Sequence, residues 1–184
     1  NNGEDSTAVL AGFTITNGDD INGGGIQLYG SSPKLSYLKV TGNSSSNGNG
    51  GGIFCADYSN PVIEYCEISN NLAEQAGGGV ALHNYANSII RHTSISNNYT
   101  AVNNPKGGGG LLIDTSEPEL LDVVIINNGS ANYGGGVSII DCENYDLTGI
   151  TIVDNNGLSG GGLYINLSDN ITVHDITISG NSAN

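Results

Sequence analysis

Residues 77–82 read Gly-Gly-Gly-Val-Ala-Leu, and residues 95–98 of the same stretch read Ile-Ser-Asn-Asn. Both blocks return along the whole chain. A glycine triplet followed by an aliphatic residue ends at Gly25, Gly52, Gly79, Gly110, Gly136 and Gly162, with spacings of 27, 27, 31, 26 and 26 residues. An aliphatic residue with Asn three positions later gives Asn43, Asn71, Asn98, Asn128, Asn155 and Asn181. A leading partial copy, residues 12–18, keeps Ile15 in register but has Gly18 where Asn is expected. Self-similarity at a fixed period of this size marks a solenoid or an array.

Aligning the copies produces columns of like residues. Leu10, Leu35, Ile63, Ile90, Leu120, Leu147 and Val173 form one, and Ile15, Val40, Ile68, Ile95, Ile125, Ile152 and Ile178 another. After the glycines, Ile26, Ile53, Val80, Leu111, Val137 and Leu163 are followed two residues on by Leu28, Cys55, Leu82, Ile113, Ile139 and Ile165. Apolar residues at period two describe strands with one buried face, so each repeat holds at least two short strands. A repeat of this length makes one turn of a coil with three sides and its corners, and stacked coils put equivalent residues about 4.8 Å apart. Strand crossovers in parallel sheets are right-handed. The predicted fold is therefore all-β, a right-handed parallel β-helix of about six to seven coils of 26–31 residues, one domain over residues 1–184. In it the Asn column becomes a ladder of amides bonded along the axis. The glycine triplets become corners where backbones approach too closely for a Cβ.

The Gly-Gly-Gly-Ile and Ile-Ser-Asn-Asn blocks resemble the paired Gly-Gly-Ala-Ile and Phe-x-x-Asn repeats of polymorphic outer-membrane autotransporter passengers, with Ile or Val where those have Phe. The wider likeness is to bacterial right-handed β-helix repeat proteins on secreted, multidomain chains, and it covers essentially the whole sequence. It implies an extracellular or cell-surface, adhesin-like role as a rigid stalk or adhesive surface, with carbohydrate or a surface receptor as partner.

Composition limits the partners. Four Lys+Arg stand against 18 Asp+Glu, giving a net charge of −14, which repels phosphate backbones and anionic lipid and excludes nucleic acid. No apolar run reaches the ~18 residues that span a bilayer, so this segment is not expected to insert in a membrane. The three cysteines, Cys55, Cys66 and Cys142, lack metal-ligand spacing and read as free thiols. Cys55 and Cys66 fall on inward columns, whereas Cys142 falls in a loop and is expected to be the reactive one. Neither terminus encodes a cap. The chain is therefore expected to be a slice of a longer β-helix or to stack end to end with its own copies as a fibre.

Signs of catalysis are sparse. Asp19-Asp20 is the only acidic pair of the kind seen in pectin hydrolases of this fold, and no catalytic residue is assigned. Lys34, Lys39, Arg91 and Lys106, which a lyase would need to hold a substrate carboxylate, do not share a column. His83, near Tyr85 and Asp57, is the most enzyme-like cluster, and His92 and His174 lie too far apart to share a metal. The alternative function is thus a polysaccharide-active lyase or hydrolase with unrecognised catalytic residues.

Two binding sets remain. Asp57, Asp114 and Asp141 recur just past the second strand of three coils and offer oxygen ligands to Ca²⁺, the one cofactor the sequence suggests. The column between the two post-glycine ladders, Gln27, Phe54, Ala81, Leu112, Ser138 and Tyr164, is expected to face water. Phe54, Leu112 and Tyr164, with the loop tyrosines Tyr29, Tyr58, Tyr85 and Tyr145, would then offer sugar rings an aromatic surface beside Asp and Asn.

Overall fold

The computed structural model describes residues 4–101 and 106–184. Among them there is no helix, and every strand pairing is parallel. The chain winds into a β-solenoid with four short strands per coil, so the coil has four walls where three sides are expected; the extra side is the third wall, whose strands carry no apolar alternation. The first wall stacks Val9–Ala11, Lys34–Ser36, Val62–Glu64, Ile89–Arg91 and Glu119–Leu121, and Asp146–Leu147 pairs with Thr172–Val173 further on. The second stacks seven strands from Thr14–Ile15 to Thr177–Ser179, and the third seven from Asp19–Asp20 to Ser182–Ala183. The fourth follows the glycines, from Ile26–Tyr29 to Leu163–Asn166.

Register is set residue on residue. Ile68 lies between Val40 and Ile95, and Leu82 between Cys55 and Ile113, so the aliphatic columns fuse into one axial core. Strands of two or three residues cannot hold a register by their own bonds; like side chains stacked in that core do so. Corners are turned by residues in the left-handed region: Tyr37, Tyr65, His92 and Asp122 between the first and second walls, Asn70, Asn97, Asn127 and Asp154 between the second and third.

Inside the second of these corners runs the Asn ladder. Each Nδ2 donates to the Oδ1 of the next Asn at 3.0 Å, from Asn43 through Asn71, Asn98, Asn128 and Asn155 to Asn181. The second Nδ2 proton goes to a carbonyl one coil back, as from Asn98 to Ile68. Each interior Oδ1 also accepts the backbone N–H of the preceding Asn. Both donors and both lone pairs of a buried amide are thereby used, which leaves no desolvation penalty standing. Gly18 breaks the series, and there Asn43 Oδ1 accepts only a backbone N–H.

Three glycines are needed at the next corner for different reasons, as the third coil shows. Gly77 has φ +64°. A Cβ on Gly78 would lie 2.5 Å from the carbonyl oxygen of Gly109 and 2.6 Å from that of Tyr99. One on Gly79 would meet Gly110 O at 2.7 Å, and Asn98 Nδ2 and Ile95 Cγ2 at 2.8 Å. The coil is so narrow here that the triplet packs directly on the Asn ladder.

Two expectations fail at the fourth wall and beyond. Phe54, Ala81, Leu112 and Ser138 do not face water but are buried. Phe54, Ala56, Ala81, Leu112 and Ile140 cluster with Ala76, which lies in the connection between Leu72–Ala73 and Val80–His83, as a second small core. Cys142 is not an exposed loop thiol either: it is buried with Cys55 and Cys66, and its Sγ lies 3.2 Å from the carbonyl of Ile140 and 3.3 Å from that of Ser116, which share its one S–H. Burial raises the pKa of all three thiols, that of Cys55 to about 12.

All four Lys and Arg side chains are tied to carboxylates. Although they share no column, Lys34 and Arg91 converge on Glu64, at 2.7 Å to Oε1 and at 2.6 and 2.9 Å to Oε2, while Lys39 meets Glu67 at 3.1 Å and Lys106 meets Asp114. Hydrogen bonds from Lys34 and Arg91 hold Glu64 below the usual carboxylate range. For Asp114, burial raises the pKa, but hydrogen bonds from His83 and Lys106 outweigh it and lower the value. A carboxyl with a depressed folded pKa stabilises the fold fully above its unfolded pKa, near 4, and that contribution is withdrawn as pH falls through the folded value. The carboxylate contribution to the melting temperature should accordingly be constant from pH 7 to about 5 and fall away below about 4. Glu64→Gln should melt lower at pH 7 and lose less on acidification, as thermal unfolding against pH would show.

Candidate functional site

The corner between fourth and first walls varies in length, and that variation makes the site. In the second coil Asp57 and Tyr58 are both left-handed, as are Asn84 and Tyr85 in the third, whereas the next coils have only Thr115 and Asp141. The chain realigns immediately afterwards, since Ser31 N–H donates to Ser59 Oγ and Ala86 N–H to Ser116 Oγ. Tyr58 and Tyr85 are therefore insertions that project from the corner. Their rings stack at 5.2 Å with 11° between planes. Among the described residues coil four supplies no third ring at this corner, so the stack ends at Tyr85, and beyond it opens a notch of 250 Å³.

Asn87, Thr115, Glu117, Asp141 and Glu143 line this notch together with Tyr85. Asn87 is held from both sides, its N–H donating to Asn60 Oδ1 and its Oδ1 accepting the Glu117 N–H, each at 2.7 Å. The result is an aromatic ring at the edge of a cleft bearing three carboxylates, a hydroxyl and a fixed amide. Of these, Tyr85 and Asp141 were anticipated from sequence. Asn87, Thr115, Glu117 and Glu143 were not, although the one-residue difference between Asn84-Tyr85-Ala86 and Thr115-Ser116 was there to be read.

The remaining candidates disperse. Tyr29 meets Phe54 edge-on at 5.5 Å, Tyr164 stacks on Tyr133 at 4.5 Å and is partly buried, and Tyr145 is buried in the core with its hydroxyl donating to the Pro118 carbonyl, so with Phe54 and Leu112 inside the second core there is no continuous aromatic face on the fourth wall among the described residues. Asp57, Asp114 and Asp141 do not share a column. Asp57 and Asp141 occupy the left-handed corner three coils apart, about 14 Å, whereas Asp114 ends a fourth-wall strand, paired with His83 and Ile140. Among the described residues no group of three or more His, Cys, Asp and Glu side chains is placed to hold a metal.

His83 finds its carboxylate in the coil above, not in Asp57 below. Its Nδ1 lies 2.5 Å from Oδ2 of Asp114, whose side chain is 1% exposed and which also binds Lys106. Asp57 instead accepts from Asn84 Nδ2 at 2.5 Å. His92 stacks on Tyr65 at 4.9 Å, which in turn stacks on Tyr37 at 5.1 Å, and it faces Asp122 at 3.2 Å. His174 lies 2.9 Å from both Asp146 and Asp175, whose hydrogen bonds raise its pKa.

Comparison with known proteins bears on the architecture. A family model described as a right handed beta helix region matches residues 3–131, more than half of the chain. No curated protein and no solved structure matches it.

Proposed function

The chain belongs to the right-handed β-helix family, and from that premise we propose that it is a non-catalytic module of an extracellular chain. In this reading the solenoid is a rigid stalk that binds neutral carbohydrate at the notch beside Tyr85. The observation that supports this is the interrupted Tyr58–Tyr85 stack: a flat, half-exposed ring with, among the described residues, no aromatic neighbour in the next coil, bordered by Glu117, Asp141 and Glu143. A pyranose ring is a slab with apolar faces and a hydroxyl rim. It extends the stack where a third tyrosine would sit, while its hydroxyls donate to the carboxylates. Charge selects neutral sugars, because three carboxylates line the notch and every Lys and Arg is bound to an acid elsewhere.

A glycan array followed by titration with neutral oligosaccharides tests the reading. Tyr85→Ala should weaken binding about tenfold, the ~1.4 kcal/mol that one aromatic contact supplies. Affinity unchanged in that variant would overturn it. The second reading, an enzyme, is favoured by the pairing of His83 with buried Asp114 and by a family that includes polysaccharide enzymes. Release of reducing ends or unsaturated products by the wild type, lost in His83→Ala, would select it.

A further inference from the structure

A second platform lies on the opposite side of the coil. Tyr99 opens the third-wall strand Tyr99–Thr100 and pairs in register with Gly129 of the next coil. Its ring occupies the space that a side chain at 129 would take: a Cβ there would lie 2.8 Å from Tyr99 Cδ2 and 3.1 Å from Cε2. The ring thus rests on bare backbone, and the residue is 46% exposed. Alongside runs a groove of 360 Å³ whose lining includes Asn97, Asn127, Asp154 and Asn156.

Three of these polar groups come from the second corner, where the left-handed backbone at Asn97, Asn127 and Asp154 sets one such side chain per coil beside the ring, and Asn156 opens the neighbouring third-wall strand. The inner Asn of each pair is consumed by the amide ladder, but the outer one is not. The side-chain amides of Asn97 and Asn127 have no hydrogen-bond partner among the described residues. A primary amide both donates and accepts, so two of them at successive coils, about 4.8 Å apart, match pairs of vicinal hydroxyls. We propose that the Tyr99 ring and the Asn97–Asn127 amides form a second saccharide site, for one ring of a neutral glycan. The apolar face of that sugar lies on Tyr99, and its hydroxyls pair with the amides and with Asp154. With the Tyr85 notch at another corner, the molecule then holds two glycan segments on different sides of one rigid coil, and a polymeric ligand gains from simultaneous engagement.

The groove site does not depend on the notch. Amide-resolved NMR titration with cellohexaose, mannohexaose and xylohexaose, applied to the wild type and to Tyr85→Ala, Tyr99→Ala, Tyr99→Phe and Asn127→Ala, tests each separately. The expected result is a saturable shift of the Asn97 and Asn127 side-chain amide signals with at least one sugar. That shift should persist in Tyr85→Ala and Tyr99→Phe, and its affinity should weaken tenfold or more in Tyr99→Ala and several-fold in Asn127→Ala. No shift with any of the sugars, or a shift with unaltered affinity in Tyr99→Ala, would overturn the groove site. Shifts at the groove with none around Tyr85 would sink the notch instead and leave the groove standing.

Discussion

Asn98→Leu is expected to destabilise the protein by about 4 kcal/mol or more, although leucine fills a similar volume and is more apolar. Four groups lose their partner at once: the Asn71 N–H, one Asn71 Nδ2 proton, the Ile68 carbonyl and one lone pair of Asn128 Oδ1. Each buried orphan costs about 1–3 kcal/mol, and the crowded position leaves no room for water to replace the amide. For a chain of this size that loss lowers the melting temperature by about 10 °C or more. Asn181→Leu is the internal comparison. Asn181 is only partly buried and ends the described ladder, so its loss orphans three groups rather than four, at a position nearer to water, and should cost less. Equal melting of Asn98→Leu and wild type would mean that the amides stack without bonding.

Gly135→Val should be comparably severe, through geometry rather than hydrogen bonding. The first atom of any side chain there would lie 2.2 Å from the Asn156 carbonyl oxygen and 2.5 Å from that of Gly161. Both are backbone atoms of a packed coil and cannot rotate away. Relieving the clash means separating walls, at about 3 kcal/mol or more. Gly78→Val meets the same obstacle at Gly109 and Tyr99. Gly12→Ala serves as the contrast: a Cβ there meets nothing within 4 Å, so only its left-handed backbone at φ +74° is penalised, by about 1–2 kcal/mol. Differential scanning calorimetry of the three variants would separate clash from strain. If Gly12→Ala melted as low as Gly135→Val, backbone angle rather than close approach would explain the glycines.

These two effects fall on residues that were legible in the chain itself, because a solenoid repeats its constraints once per coil. Only glycine satisfies the corner at 78, 109 and 135, and only a side chain with two donors and two acceptors satisfies the ladder at 71, 98 and 128, so both recur at the coil period. The third wall was not legible: Ser44–Ser45, Leu72–Ala73 and Tyr99–Thr100 share no apolar alternation, and their strand pairing follows from neighbours that fix the register for them.

The candidate sites divide in the same way. Tyr58 and Tyr85 could be picked out as exposed aromatics of adjacent coils, but that their stack ends in a notch depends on where the chain realigns at Ser116. Phe54 and Leu112 looked like surface residues because strand alternation places them outside the coil. They are interior because they cluster with Ala76, in the connection between third and fourth walls, as a second small core. Cys142 passed for a loop thiol for a similar reason, since burial in a corner leaves no mark on sequence periodicity. What the residue order determined was the coil, its period and the identity of its internal ladders, because each is a local steric or hydrogen-bonding demand renewed every turn. Packing between coils decided the exposed chemistry, namely which outward side chains stay in water and where an aromatic column stops. That depends on single-residue differences between neighbours about 4.8 Å apart in space but 26–31 residues apart in the chain.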